Sequence, residues 1–127
     1  MNSNPDIRLE MQGSVAVVRL TRPTKRNALN DGLIASLRHI FENLPKEAHA
    51  AVVAGDGDHF CAGLDLSELK ERDAGEGLYH SRSWHTALDR VQSGNVPVIA
   101  ALHGAVVGGG LELASACHIR VADASTF

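Results

Sequence analysis

A chain of 127 residues, 44% hydrophobic and 21% charged, is long enough for one domain with a true core, and its composition excludes a disordered or low-complexity protein. Its net charge of −3, with the signs interspersed, offers no basic stripe for nucleic acid and no polybasic patch for a membrane surface. The two cysteines, Cys61 and Cys117, lack CxxC spacing, which points to reduced thiols in a cytoplasmic-type compartment and away from a disulfide framework.

The opening Met1-Asn2-Ser3-Asn4-Pro5-Asp6 has no charged lead followed by an apolar core, so no secretory signal is expected, and no segment is long enough to span a bilayer. After a turn at Gly13, the apolar run at 15–18 predicts a strand over 14–20. A polar loop, Arg22-Pro23-Thr24-Lys25-Arg26-Asn27, interrupts it. Asn30 is placed to cap a helix, and Leu33, Ile34, Leu37, Ile40, Phe41 and Leu44 recur at helical spacing until Pro45. The short run at 50–54 reads as a buried strand closed by the turn Gly55-Asp56-Gly57-Asp58.

Beyond His59-Phe60-Cys61-Ala62-Gly63-Leu64-Asp65-Leu66, residues 67–72 read as a short charged helix. Residues 73–77 carry two glycines and no apolar period, which predicts a mobile loop, a lid or a variable insertion. Over 78–92 the positions of Trp84, Ala87, Leu88 and Val91 form another helical stripe, stopped by Ser93-Gly94-Asn95. The β-branched run from Val96 predicts a buried strand that breaks into Gly108-Gly109-Gly110, and these glycines open an Ala/Leu-rich helix. Residues 118–122 predict a last strand with Ile119 and Val121 on one face. Alternating strands and helices argue for a layered α/β architecture, and no internal repeat is visible.

Two glycine-bearing turns follow predicted strands: Ala62-Gly63-Leu64-Asp65 and Gly108-Gly109-Gly110. One main-chain amide from each, converging on a single carbonyl oxygen, would make an oxyanion hole without side chains, and preorganised donors about 3 Å from a developing oxyanion rank among the largest contributions to catalysis. The same residues suit plain tight turns, so both readings stand at this point. Glu112, just inside the last helix, suits either general acid/base work or simple complementation of the helix dipole. Nucleotide sites fail on their own terms: Gly110 is followed by Leu111-Glu112 where a P-loop needs Lys-Ser or Lys-Thr, and GxGxxG is not completed. The histidines at 39, 49, 59, 80, 103 and 118 show no HExxH or Cys/His spacing, so no metal site is expected.

Three segments, taken in order, carry a likeness: Arg22-Pro23-Thr24-Lys25-Arg26-Asn27-Ala28-Leu29, Phe60-Cys61-Ala62-Gly63-Leu64-Asp65-Leu66, and Pro97-Val98-Ile99-Ala100-Ala101 through Gly104 to Gly108-Gly109-Gly110-Leu111-Glu112-Leu113-Ala114. Together they resemble the crotonase, or enoyl-CoA hydratase/isomerase, superfamily. The resemblance runs over the whole chain and matches the N-terminal half of a typical member. It implies an α/β, crotonase-like (ClpP/crotonase) fold of repeated ββα units, truncated, with residues 1–127 as the N-terminal part of the core domain and the C-terminal helical region missing.

For the site, the resemblance implies that the Leu64 and Gly109 amides form the oxyanion hole for an acyl-CoA thioester. Glu112 matches one of two catalytic glutamates, the second lying beyond Phe127. Lys25, Arg26 and Ala28, with Ala62, Gly63, Asp65, Leu66 and Gly108, match the walls that hold substrate and coenzyme A, where basic side chains suit phosphates. His85 stands twelve positions before Pro97, where aryl-CoA dehalogenases of the superfamily place a catalytic histidine. Those enzymes have glycine at the position of Glu112, so a helix-surface role for His85 weighs more. The implied activity is addition of water to a trans-2-enoyl-CoA. The alternatives are an isomerase, another crotonase-type lyase, hydrolase or dehalogenase, or a non-catalytic acyl-CoA-binding subunit. The resemblance further implies no cofactor besides the coenzyme A of the substrate, no metal, nucleic acid or membrane partner, and a cytoplasmic homotrimer or hexamer acting in fatty acid metabolism.

Overall fold

The computed structural model describes residues 4–68 and 72–127. Among these residues five strands form one sheet in the order β1-β2-β3-β4-β5. β1 (Ile7–Gln12) and β2 (Val15–Leu20) make an antiparallel hairpin around Gly13, whose φ of +60° suits a residue without a Cβ. β2, β3 (Ala50–Gly55), β4 (Val98–Leu102) and β5 (Ile119–Ala122) all run parallel. Among the described residues three α-helices connect them: α1 (Asp31–Glu42), α2 (Ala74–Gln92) and α3 (Gly109–Ala116).

The apolar periods decide what is buried. α1 turns Leu33, Ile34, Leu37, Ile40 and Phe41 inward, and α2 adds Ala87 and Val91. They join Val18, Leu20, Val53, Val98 and Ala100 of the sheet in one cluster. Asn30 caps α1 as its residue type predicts, its side-chain oxygen accepting from the Leu33 amide at 2.8 Å. Both cysteines are free and buried, and burial pushes each thiol up to about 11, so neither is a ready nucleophile. No helix among the described residues is long and apolar enough to cross a membrane.

The loop expected at 73–77 is instead the first turn of α2. Asp73 accepts from the Glu76 amide at 2.7 Å through its side chain and from the Gly77 amide at 2.9 Å through its carbonyl, so an Asp-x-x-Glu start outweighs two glycines that each cost about 1 kcal/mol. No lid stands there. Of the charged helix expected at 67–72, the described start forms a 3₁₀ turn at Leu66–Glu68, and residues 69–71 lie outside the described residues. β1 had no counterpart in the sequence reading.

The ββα repeat is present but abbreviated. Between β2 and α1, between β3 and α2, and between β4 and α3, the chain passes through a short extended stretch. Leu29 pairs with Leu64, and Cys61 with Val106, in isolated parallel bridges. Each second strand of the repeat is therefore about one bridge long. These stretches carry the candidate site.

Candidate active site

The three extended stretches lie side by side and zip together. Leu29 donates its amide to Gly63 at 2.7 Å, Asp65 to Leu29 at 2.8 Å, and Ala62 to Arg26 at 3.0 Å. On the other side, Cys61 donates to Ala105 at 3.0 Å and Val107 to Cys61 at 3.2 Å. In a parallel ladder a strand bonds one neighbour through alternate residues. The Leu64 amide falls on the residue left out, and it has no acceptor among the described residues. Gly109 is the first residue of α3, where helical amides have no partner within the helix, and its amide is likewise without an acceptor.

Glycines bring these two amides together. Gly63 adopts φ +100°, and a Cβ on it would stand 2.9 Å from the Val107 carbonyl oxygen and 3.2 Å from the Gly109 nitrogen. A Cβ on Gly110 would run into the carbonyl oxygen of Cys61. The two turns touch backbone to backbone, which no larger residue permits.

Leu64 and Gly109 border a cleft of about 460 Å³ whose far wall is α2. Helical spacing puts Ser81, Trp84, His85 and Leu88 along one side of that helix, facing Glu112 in the first turn of α3. Glu112 is exposed and has no ion pair or side-chain hydrogen bond among the described residues. His85 is on the exposed surface of α2, and that surface is cleft wall. A neighbouring hollow of about 710 Å³ shares His85, Leu88 and Glu112 with the first.

The remaining residues singled out from the sequence divide into exposed cations and internal braces. Lys25 and Arg26 are exposed and without an ion pair among the described residues, on the loop that Arg26 ties to Ala62. Leu66 is 76% exposed, whereas Ala28 is buried under that loop. Gly108, at φ +56°, turns the chain into α3. Asp65 is almost wholly buried, and its carboxylate is spent inside the protein. Its Oδ1 accepts from the Ser67 hydroxyl at 2.7 Å and the Ser67 amide at 3.0 Å, and its Oδ2 from Arg22 Nη1 at 2.7 Å. What Asp65 offers a ligand is the shape of its loop.

The Ser67 hydroxyl first, then the Arg22 guanidinium, pull the Asp65 carboxyl from the ordinary 3.8 down to about 2. A group depressed in this way stabilises the fold above its unfolded value and stops doing so as pH falls through its folded one. Asp65→Asn is therefore expected to flatten the dependence of the urea midpoint on pH between 3.8 and about 2. An unchanged slope in that window would show that the brace contributes nothing.

Comparison with known proteins follows the same segments. The profile of the family described as enoyl-CoA hydratase/isomerase matches residues 10–127. The chain belongs to the enoyl-CoA hydratase/isomerase family. It is similar to the short-chain-enoyl-CoA hydratase of Clostridium acetobutylicum, 35% identical over 120 residues that make up 92% of this chain and 46% of the relative. Among solved structures, a candidate enoyl-CoA hydratase from Rhodopseudomonas palustris superposes with a TM-score of 0.93 at 56% identity, over 98% of this chain and 49% of that one. Another from Thermobifida fusca, crystallised with acetoacetyl-CoA, gives 0.86 at 26% identity, over 96% and 52%. The chain spans about half the length of the curated relatives it matches.

In this enoyl-CoA hydratase/isomerase family member, the residue that sequence reasoning passed over is Asn27. It is fully buried with φ +56°, a backbone state that Asn tolerates better than most residues. Its side-chain oxygen accepts from the Arg22 amide at 2.9 Å, and its nitrogen donates to the Asp56 and His59 carbonyls at 2.9 and 2.8 Å. Its own carbonyl accepts from the Cys61 thiol at 3.2 Å. One amide side chain thus locks the first loop onto the second, in the role a buried polar group fills when all its bonds are made. Its only signal in the sequence is an Asn at the end of a polar interruption. Among the described residues no group of three or more His, Cys, Asp or Glu side chains could hold a metal ion.

Proposed function

We propose that the cleft receives the thioester carbonyl of a trans-2-enoyl-CoA and adds water across its double bond. As water attacks C3, electron density moves to the carbonyl oxygen and a thioester enolate forms. The Leu64 and Gly109 amides donate to that oxygen, and their bonds strengthen as its charge grows, which lowers the barrier instead of merely tightening binding. The positive end of the α3 dipole acts in the same direction. Glu112 takes a proton from the water as its oxygen bonds to C3 and gives a proton to C2 as the enolate collapses, so that the elements of one water are added overall. Lys25 and Arg26, exposed and without an ion pair among the described residues, meet the phosphates of coenzyme A, which enters as part of the substrate with no separate cofactor.

The observation that carries this reading is a pair of amides from two different turns, both without acceptors among the described residues, bordering one cleft beside a carboxylate that has no partner among them. The acetoacetyl-CoA bound by the similar Thermobifida fusca protein is the class of ligand this arrangement suits. Isomerisation, the other activity in the family's description, would pass through the same enolate, and product analysis separates a 3-hydroxyacyl thioester from a shifted double bond. The test of the site is nuclear magnetic resonance of the intact protein titrated with acetoacetyl-CoA. The Leu64 and Gly109 amide protons are expected to move downfield together. Saturable binding that leaves both unmoved would sink the assignment.

A further inference from the structure

The α2 wall of the cleft is held from behind. Trp84 lies against Gly109, so that a Cβ added to that glycine would stand 3.0 Å from the indole Cζ3. The indole therefore packs on the residue that carries one of the two amides. It is steered by the first residue of α1, a helix that contributes none of the described residues lining the cleft. Asp31 Oδ1 accepts from His80 Nδ1 at 2.8 Å and from Trp84 Nε1 at 3.4 Å, while Oδ2 accepts from Arg72 Nη2 at 3.4 Å. His80 and Trp84 are one helical turn apart, their ring centroids 5.5 Å from each other and their planes tilted by 42°.

Partial burial pushes the Asp31 carboxyl up, but the indole, the imidazole and Arg72 together outweigh it and leave the group below the ordinary 3.8, an acceptor at neutral pH. A single carboxylate oxygen thus fixes two neighbouring rings of the cleft wall. A lone acid in the first turn of a helix needs only to face the dipole. Asp31 does more than that.

We propose that Asp31 is a positioning residue of the thioester site: by holding the His80–Trp84 pair it keeps the indole over the Gly109 amide, shields that amide from water and leaves the carbonyl one direction of approach. The inference rests on the reading of the cleft given under Proposed function. It separates Asp31 from Glu112, which faces the reacting atoms, and from Asp65, which shapes a loop.

Two variants isolate the effect. Asp31→Asn and Asp31→Ala both remove the negative charge from the start of α1, so they share any loss of helix-dipole stabilisation. Only Asn keeps an Oδ1 that can accept from both rings. In the intact protein, Asp31→Ala is expected to shift the ligand-free Trp84 emission to the red, taken as the difference from Trp84→Phe. It is also expected to lower kcat for an enoyl-CoA about tenfold while KM moves less than about twofold, because a displaced wall spoils alignment more than encounter. Asp31→Asn is expected to stay within about twofold of the parent in kcat and to keep its emission.

Equal kcat losses in the two variants, or an unmoved emission in Asp31→Ala, would overturn the proposal. An emission shift confined to Asp31→Ala in a protein that neither binds nor turns over enoyl-CoA would overturn the thioester reading, and the catalytic part of this inference with it. Unchanged kcat in a protein that does turn over enoyl-CoA would overturn the positioning role alone.

Discussion

Glu112→Gln in the intact protein is expected to lower turnover of an enoyl-CoA by about 10²- to 10⁴-fold and to leave thioester affinity within about twofold. Gln preserves the shape and the hydrogen-bonding reach of Glu and removes its ability to take a proton. The substitution is clean because Glu112 is exposed and no described side chain is built around it. Its loss should change stability by no more than about 1 kcal/mol, the scale of one acidic residue in the first turn of a helix. Steady-state kinetics beside calorimetric titration with a slowly reacting thioester give both readings. Undiminished turnover would remove Glu112 from the chemistry. A parallel loss of affinity and turnover would make it a binding group.

The second large effect is expected at Gly110, from backbone contact rather than from charge. A Cβ there meets the Cys61 carbonyl oxygen, and the Cys61 carbonyl carbon and Cβ at 2.9 Å each, on a stretch already bonded to Ala105 and Val107. No flexible side-chain tip is available to yield. Gly110→Ala must push the start of α3 away from the stretch that carries Leu64, at a cost of about 3 kcal/mol or more. Thioester binding should fall with it, because the spacing of the two amides is set by the same contact. Gly77→Ala is the matched control. It lies within α2 with no described atom within 4 Å of the added carbon, so the same change should stabilise by about 0.5–1 kcal/mol. Urea unfolding of both variants checks the pair, and similar midpoints would refute the close-contact account.

Much of this architecture is legible in the sequence because it is written in local patterns. The period of Leu33, Leu37, Ile40 and Phe41, the cap at Asn30, and the glycines at 63 and 108–110 each announce their own element. What the sequence hid depends on partners far along the chain. β1 alternates Ile7, Leu9 and Met11 with Arg8, Glu10 and Gln12, a half-exposed pattern that becomes a strand only against β2. The start of α2 is obscured by two glycines that mask a capping pair three residues apart, Asp73 and Glu76. The repeat is implied by the family resemblance but leaves no periodicity in the sequence, because its second strands are single bridges. Asp31 and Asn27 were out of reach for one reason: their partners lie 49 and 53 residues away on α2, and 29 and 32 residues away beyond β3.

Because the grip on the carbonyl oxygen would be made of main-chain nitrogen and hydrogen, nineteen of the twenty genetically encoded residues cannot delete it. Exchanging one side chain for another at position 64 leaves its N–H in place, proline excepted. Inheritance can therefore rewrite the wall that selects an acyl tail, or the carboxylate that decides where a proton goes, without dismantling the trap those changes act upon. A scaffold of that kind is free to vary its reaction while keeping its intermediate.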